Sequence, residues 1–167
     1  MKLERVIAHW SVTTYEVDDD CRRHYHYIFD QNGAEYLGFK RPEANLSTAD
    51  KDYVAHTLNC NQGSIGVACA AMYEPPGTKL TVDNYGDFPI LKPQFEGMCL
   101  RIAKLCKKYS IPVTPKTVLM HGEVQKTLGI KQRGKWDIAV LPYAGLKTIE
   151  TCGDYMRKLV SDYLAEM

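Results

Sequence analysis

The chain has 167 residues, 25% charged and 45% hydrophobic, the size and balance of one ordinary globular domain. A formal net charge of +1 leaves no electrostatic footprint for nucleic acid or an anionic membrane, and no apolar stretch approaches a membrane span. The opening residues MKLERVIAHWSV lack a continuous apolar segment, so the expectation is synthesis in the cytoplasm without an export signal.

Val6 to Trp10 is a short apolar run and predicts a strand. Thr13 to Cys21 is polar and acidic and reads as a loop. Asn32-Gly33 lies between Tyr25–Phe29 and Ala34–Phe39, a strong hairpin signal. In a strand through Tyr25, His24 and His26 would share the face opposite to it, as hydrogen-bonded support residues. Ser64 to Met72 is small and apolar throughout, as in a strand buried on both faces. Tyr73 to Leu91 is rich in proline and glycine and reads as an extended surface loop.

A helix is expected from about Pro93 to Tyr109, where Phe95, Met98, Cys99, Ile102, Leu105, Cys106 and Tyr109 recur at three- and four-residue intervals. Lys104, Lys107 and Lys108 complement its dipole, and Pro112 stops it. Thr117 to Met120 predicts another short strand, ending at His121. A last helix, about 148–165, carries Cys152, Tyr155, Met156, Leu159, Val160 and Tyr163 on one stripe, read as packing against the sheet rather than as a partner surface. The six cysteines include no CxxC pair and read as free thiols in a reducing compartment. With no repeat or linker, residues 1–167 are expected to form a single α/β domain on a central sheet.

Of the five histidines, His9, His24, His26, His56 and His121, two end apolar strands. Side chains at strand ends can converge over a shared sheet edge. His9 and His121 with a third ligand from Glu123, Asp137 or a cysteine would meet the needs of a catalytic zinc, three protein ligands and one open position. Spacing alone does not choose this reading. There is no HExxH, and a strand-end histidine is more often a hydrogen-bonded structural residue.

Four segments in order alter that weighting: IAHWS around His9, RHYHYIFDQNG around Tyr25, AHTLNCNQGSIGVAC around His56, and HGEV through GKWD. Spanning residues 6–137, they resemble the type 2 N-acetylmuramoyl-L-alanine amidases, the superfamily of phage lysozyme-type amidases, cell-wall recycling amidases and animal peptidoglycan recognition proteins. The resemblance implies a central mixed β-sheet flanked by helices, one Zn2+ per chain, and hydrolysis of the amide between N-acetylmuramic acid and L-alanine in peptidoglycan. It implies His9, His121 and Asp137 as zinc ligands, the last at a position the family fills with Asp, Cys or His. Lys135 and Tyr25 match catalytic positions, Tyr25 that of the phage-type branch, and His56 matches a cleft-lining one. Lys135 would stabilise the developing oxyanion. Trp10 and Trp136 adjoin proposed ligands and would wall the cleft, although core packing explains them equally well. Glu123 reads equally as a partner of a ligand histidine or as an exposed loop carboxylate.

The departures are informative. Ala68 stands where the recycling branch has a catalytic glutamate, which favours the Tyr25-dependent scheme. Ile138-Ala139 replaces the usual Pro-Gly after the third ligand, and the stretch between His9 and Tyr25 leaves little room for the helix common there. The implied protein is a phage or prophage endolysin, monomeric, made in the cytoplasm and acting on the periplasmic cell wall. The alternatives are a cytosolic amidase of anhydromuropeptides and a non-catalytic peptidoglycan-binding module.

Overall fold

The computed structural model describes all 167 residues. In chain order the elements are β1 (Arg5–Trp10), α1 (Asp19–His24), β2 (Tyr27–Phe29), β3 (Glu35–Leu37), β4 (Ser64–Cys69), α2 (Lys92–Tyr109), β5 (Val118–Met120), α3 (Val124–Leu128) and α4 (Ile149–Ala165). Five strands make one mixed sheet in the order β3-β2-β4-β1-β5. β1 runs parallel to both β4 and β5, β2 is parallel to β4, and β3 closes the edge as the antiparallel arm of the Asn32-Gly33 hairpin. The central mixed sheet with flanking helices is therefore the observed architecture.

Alternation along the central strands assigns the two faces. Val6, Ala8 and Trp10 of β1 join Ile65, Val67 and Cys69 of β4 and Val118 and Met120 of β5 in the main core. The apolar stripes of α2 and α4 cover that face: Phe95, Met98, Cys99, Ile102, Leu105 and Cys106 from one, Cys152, Met156 and Val160 from the other. α2 is pinned to the sheet by the buried Gln94, whose amide donates to the carbonyls of Phe29 and Ala70 and accepts from the Leu91 N–H. Ile7 and His9 point to the opposite face, where Ile7 packs with Cys60, Leu119 and Val124. There the cover is not a long helix but the loop of residues 42–62 and the short α3. All six cysteines are buried and unbonded.

Two expectations are corrected. The polar stretch read as a loop to Cys21 becomes helical at Asp19. The Asp18 carboxylate caps it by accepting from the Cys21 N–H at 2.9 Å, and Asp19 and Asp20 at its start and Arg22, Arg23 and His24 at its end complement the dipole. Only Cys21 is buried in it, so no apolar period betrays it. Because the helix runs to His24, the backbone turns extended only at Tyr25, and the expected strand alternation around Tyr25 does not occur. His24 lies exposed on α1, while His26 is buried. The 73–91 loop is irregular as expected, yet Leu80 and Ile90 anchor it in the core.

Candidate metal centre

Parallel pairing puts the carboxyl ends of β1 and β5 side by side: Ala8 lies opposite Met120, so His9 and His121, 112 residues apart, follow at the same edge. Ligand sites in parallel sheets gather at such ends. His121 opens a 3-10 turn, His121–Glu123, in which the Gly122 N–H donates to the Asp137 carbonyl at 2.6 Å and so draws Asp137 against the strand end.

The result is a buried triangle. His9 Nδ1 is 3.1 Å from His121 Nδ1 and 3.3 Å from Asp137 Oδ2, and His121 Nδ1 is 3.5 Å from the same oxygen. A tetrahedral zinc with bonds of about 2.0–2.1 Å separates its ligand atoms by about 3.3 Å. The edges thus match the ion's size.

The charges agree. Asp137 is buried with only the two imidazoles in ion-pair range. Burial opposes its charge, but the His121 and His9 imidazoles outweigh that and hold its carboxyl below the usual carboxylate range. Burial lowers His9 to about 4 despite the pull of Asp137, so His9 is neutral at pH 7, the form that ligates a metal. A buried carboxylate beside a neutral imidazole and without Lys or Arg in contact fits a divalent cation.

The remaining ring nitrogens show why both histidines turn Nδ1 inward. His56 Nε2 meets the Ser64 carbonyl at 3.2 Å and must donate there, so its Nδ1 is an acceptor. His9 Nε2 lies 3.2 Å from that Nδ1 and therefore carries its own proton. Thr57 Oγ1 also approaches His56 Nδ1, at 2.8 Å. Burial and the His9 and His26 imidazoles push His56 well below its ordinary range, keeping it neutral. Room for this ring comes from Gly66: a Cβ there would sit 2.6 Å from the His56 ring. The glycine of Ser-Ile-Gly is thus the seat of a histidine ten residues earlier.

The loop carrying His56 is organised by Asn45, which is fully buried. Its Oδ1 accepts from the Val54 N–H and its Nδ2 donates to the carbonyls of Val54 and Asn61. Asn61 Oδ1 in turn accepts from the backbone N–H groups of His56 and Thr57. His26 links this loop to β4: the Gly66 N–H donates to its Nδ1, and its Nε2 faces Asn45 Oδ1 at 3.2 Å. Burial lowers His26 to about 4. Its folded value lies below the unfolded value of about 6.5, so the stability it protects is complete above pH 6.5 and is lost as pH falls towards 4. Urea unfolding followed from pH 8 to pH 4 should show a flat midpoint and then a decline. The decline should be shallower in His26→Gln, which can keep both hydrogen bonds without titrating; an equal slope in both proteins would remove His26 as its source.

Above the triangle lies an open cleft of about 670 Å3. Its lining includes every position implied from sequence: Tyr25, His56, Trp10, Trp136 and Lys135 beside the three candidate ligands. The Trp10 and Trp136 rings meet edge to face at 4.6 Å, and Trp10 also packs into the main core. The Tyr25 ring is 5.2 Å from that of His9. Burial, followed by the Asp137 charge, raises the Tyr25 phenol and keeps it protonated. Lys135 is exposed on the rim.

Glu123 takes none of the three roles expected of it, as third ligand, partner of a ligand histidine or exposed carboxylate. Its carboxylate forms a two-pronged pair with Arg157 of α4, both contacts at 3.0 Å, and accepts from the Met120 N–H. Gln132 is the residue that sequence reasoning missed: a buried amide at the back of the site, 2.9 Å from His121 Nε2. Lying in the basic loop Lys131–Lys135, it carried no signal of burial.

A family model described as N-acetylmuramoyl-L-alanine amidase (Amidase_2) matches residues 1–137, a span that includes all three candidate ligands. No curated protein matches the chain in sequence. Among solved structures, the Staphylococcus aureus hydrolase AmiA, determined in complex with its ligand, is similar over 98% of this chain and 73% of its own, with 10% identity and a TM-score of 0.58. Bumblebee PGRP-SA is similar over 77% of this chain and 75% of its own, with 15% identity and a TM-score of 0.50. The endolysin of Thermus scotoductus bacteriophage Ph2119 aligns over 76% of each chain, with 15% identity and a TM-score of 0.49. At such identities the likeness to AmiA and PGRP-SA is one of fold.

Proposed function

Because this chain belongs to the N-acetylmuramoyl-L-alanine amidase family, we propose that it is a zinc-dependent enzyme that hydrolyses the bond between N-acetylmuramic acid and L-alanine in peptidoglycan. The observation that carries this reading is the buried His9–His121–Asp137 triangle, sized for zinc, beneath an open cleft. Its three ligands leave a fourth position for substrate or water, the arrangement of catalytic rather than structural zinc sites.

One zinc ion held there supplies Lewis-acid polarisation of the scissile carbonyl and activation of water near neutral pH. The chain's own groups complete the chemistry. Lys135 brings a cation to the rim of the cleft, where the carbonyl oxygen gains negative charge. Tyr25, kept protonated by burial, acts as a hydrogen-bond donor and not as a base. His56 is an unsuitable proton donor to the leaving amine, since its one N–H is committed to the Ser64 carbonyl. That leaves Lys135 or a water molecule for the L-alanine nitrogen. Trp10 and Trp136 offer apolar ring surface to sugar or peptide.

Ala68 pairs with His9 in the sheet register and is fully buried, so no carboxylate base projects from that position. This supports the Tyr25-dependent phage-type scheme over the recycling one. The proposed setting is an endolysin, acting as a monomer, made in the cytoplasm and reaching the periplasmic wall once the membrane is breached.

Purified protein incubated with Gram-negative sacculi should generate new N-terminal L-alanine. These ends should cease to form under a chelator and form again when zinc is restored. Tight sacculus binding without new ends, at full zinc occupancy, would instead establish a recognition module.

A further inference from the structure

Gln132 lies outside the candidate ligand set and yet is buried against it. Its orientation follows from its partners. Its Nε2 donates to the Leu58 carbonyl at 2.8 Å, so the atom facing His121 Nε2 at 2.9 Å is the acceptor Oε1. An oxygen acceptor there requires the proton of His121 to sit on Nε2, which leaves the Nδ1 lone pair directed at His9 and Asp137. The backbone holds Gln132 in turn: its N–H donates to the Gln125 side-chain oxygen at 2.8 Å, tying it to α3 just after the His121 turn.

Gln132 also lines a second hollow beside the main cleft, one without a hydrophobic side chain, together with Gln125, Lys126 and Lys135. Without its amide, His121 Nε2 would face that hollow. Water there could accept the Nε2 proton but could not hold the ring's rotation. The expected effect is therefore a loss of metal affinity and not of the fold.

We propose that Gln132 is a positioning residue for metal binding, which selects the Nε2–H tautomer of His121 and links that ligand to the loop bearing His56. This rests on the zinc reading above. Partners of this kind are typically worth about 10- to 100-fold in metal affinity.

The test compares Gln132→Met with Gln132→Glu by chelator competition for zinc, and follows the His121 Nε2–H proton by NMR in the zinc-loaded proteins. Methionine conserves length but offers only a weakly accepting sulfur in place of the amide oxygen; glutamate retains the acceptor while losing the donor to Leu58. The expected result is zinc affinity lower by about 10- to 100-fold in Gln132→Met, and within a few-fold of the unaltered protein in Gln132→Glu. The slowly exchanging Nε2–H resonance should persist in the unaltered protein and in Gln132→Glu, and vanish in Gln132→Met. Equal affinity losses in the two variants would assign Gln132 to loop anchoring through Leu58 and overturn the proposal. So would unchanged affinity in Gln132→Met, or absence of the protected proton from the zinc-loaded unaltered protein, a measurement that needs no variant to fold. Failure of the unaltered protein to bind zinc would overturn the metal reading itself and this inference with it.

Discussion

Asp137→Ala is expected to abolish zinc retention and to lower amidase turnover by at least about a thousand-fold. Lewis-acid stabilisation supplies several kcal/mol of the barrier reduction, and each 1.36 kcal/mol is a factor of ten. Asp137 contributes the only anionic corner of the triangle, 3.3 and 3.5 Å from the two ring nitrogens. Without it, two buried imidazoles would have to hold a dication with no anionic partner. The fold should survive, because the backbone carbonyl that accepts from the Gly122 N–H is untouched. Asp137→Cys is the informative companion: thiolate is a good zinc ligand, so it should recover bound zinc and a measurable part of the activity. Zinc content by atomic emission and release of N-terminal L-alanine are the measurements. Full activity in a zinc-free Asp137→Ala protein would refute the metal mechanism.

Glu123→Ala should cost at least about 3 kcal/mol of stability, a fall in the thermal midpoint on the order of 10 °C for a chain of this size. The Glu123 and Arg157 side chains are only 10% and 11% exposed, so solvent offers little to a widowed partner. The substitution also orphans the Met120 N–H, leaving Arg157 with the Val118 carbonyl and the exposed Asp154. α4 makes room for this pair with Gly153, where a Cβ would come within 2.5 Å of the Glu123 carboxylate. The pair ties α4, which lies beyond the span of the family match, to the turn that begins with His121. Thermal unfolding by circular dichroism checks it. A shift below about 2 °C would mean that water compensates the pair and that α4 is held by its apolar stripe alone.

Elements whose residues follow a repeating pattern are legible in the amino-acid order alone. The 3.6-residue period locates α2 and α4 to within a residue or two, and the apolar runs locate β1, β4 and β5, because burial on one face leaves a local, periodic trace. α1 leaves no such trace, because its stability comes from the Asp18 cap and end charges, with a single buried residue. Strand alternation through Tyr25 therefore misplaces His24 and His26, since a helix ends where a strand was expected.

The amidase family resemblance, the strand-end placement of His9 and His121, and the candidacy of Asp137 are readable from the sequence itself, as motifs in order and as residues suited to zinc. Tertiary structure alone decides that the side-chain atoms of these three candidate ligands close to 3.1–3.5 Å, that Glu123 turns away to Arg157, and that Gln132 and His56 lie against the outer ring nitrogens of His121 and His9. The reason is physical. Parallel pairing joins segments more than a hundred residues apart, and the partner of a ring nitrogen or buried carboxylate is set by whatever that pairing brings alongside, which no local pattern encodes.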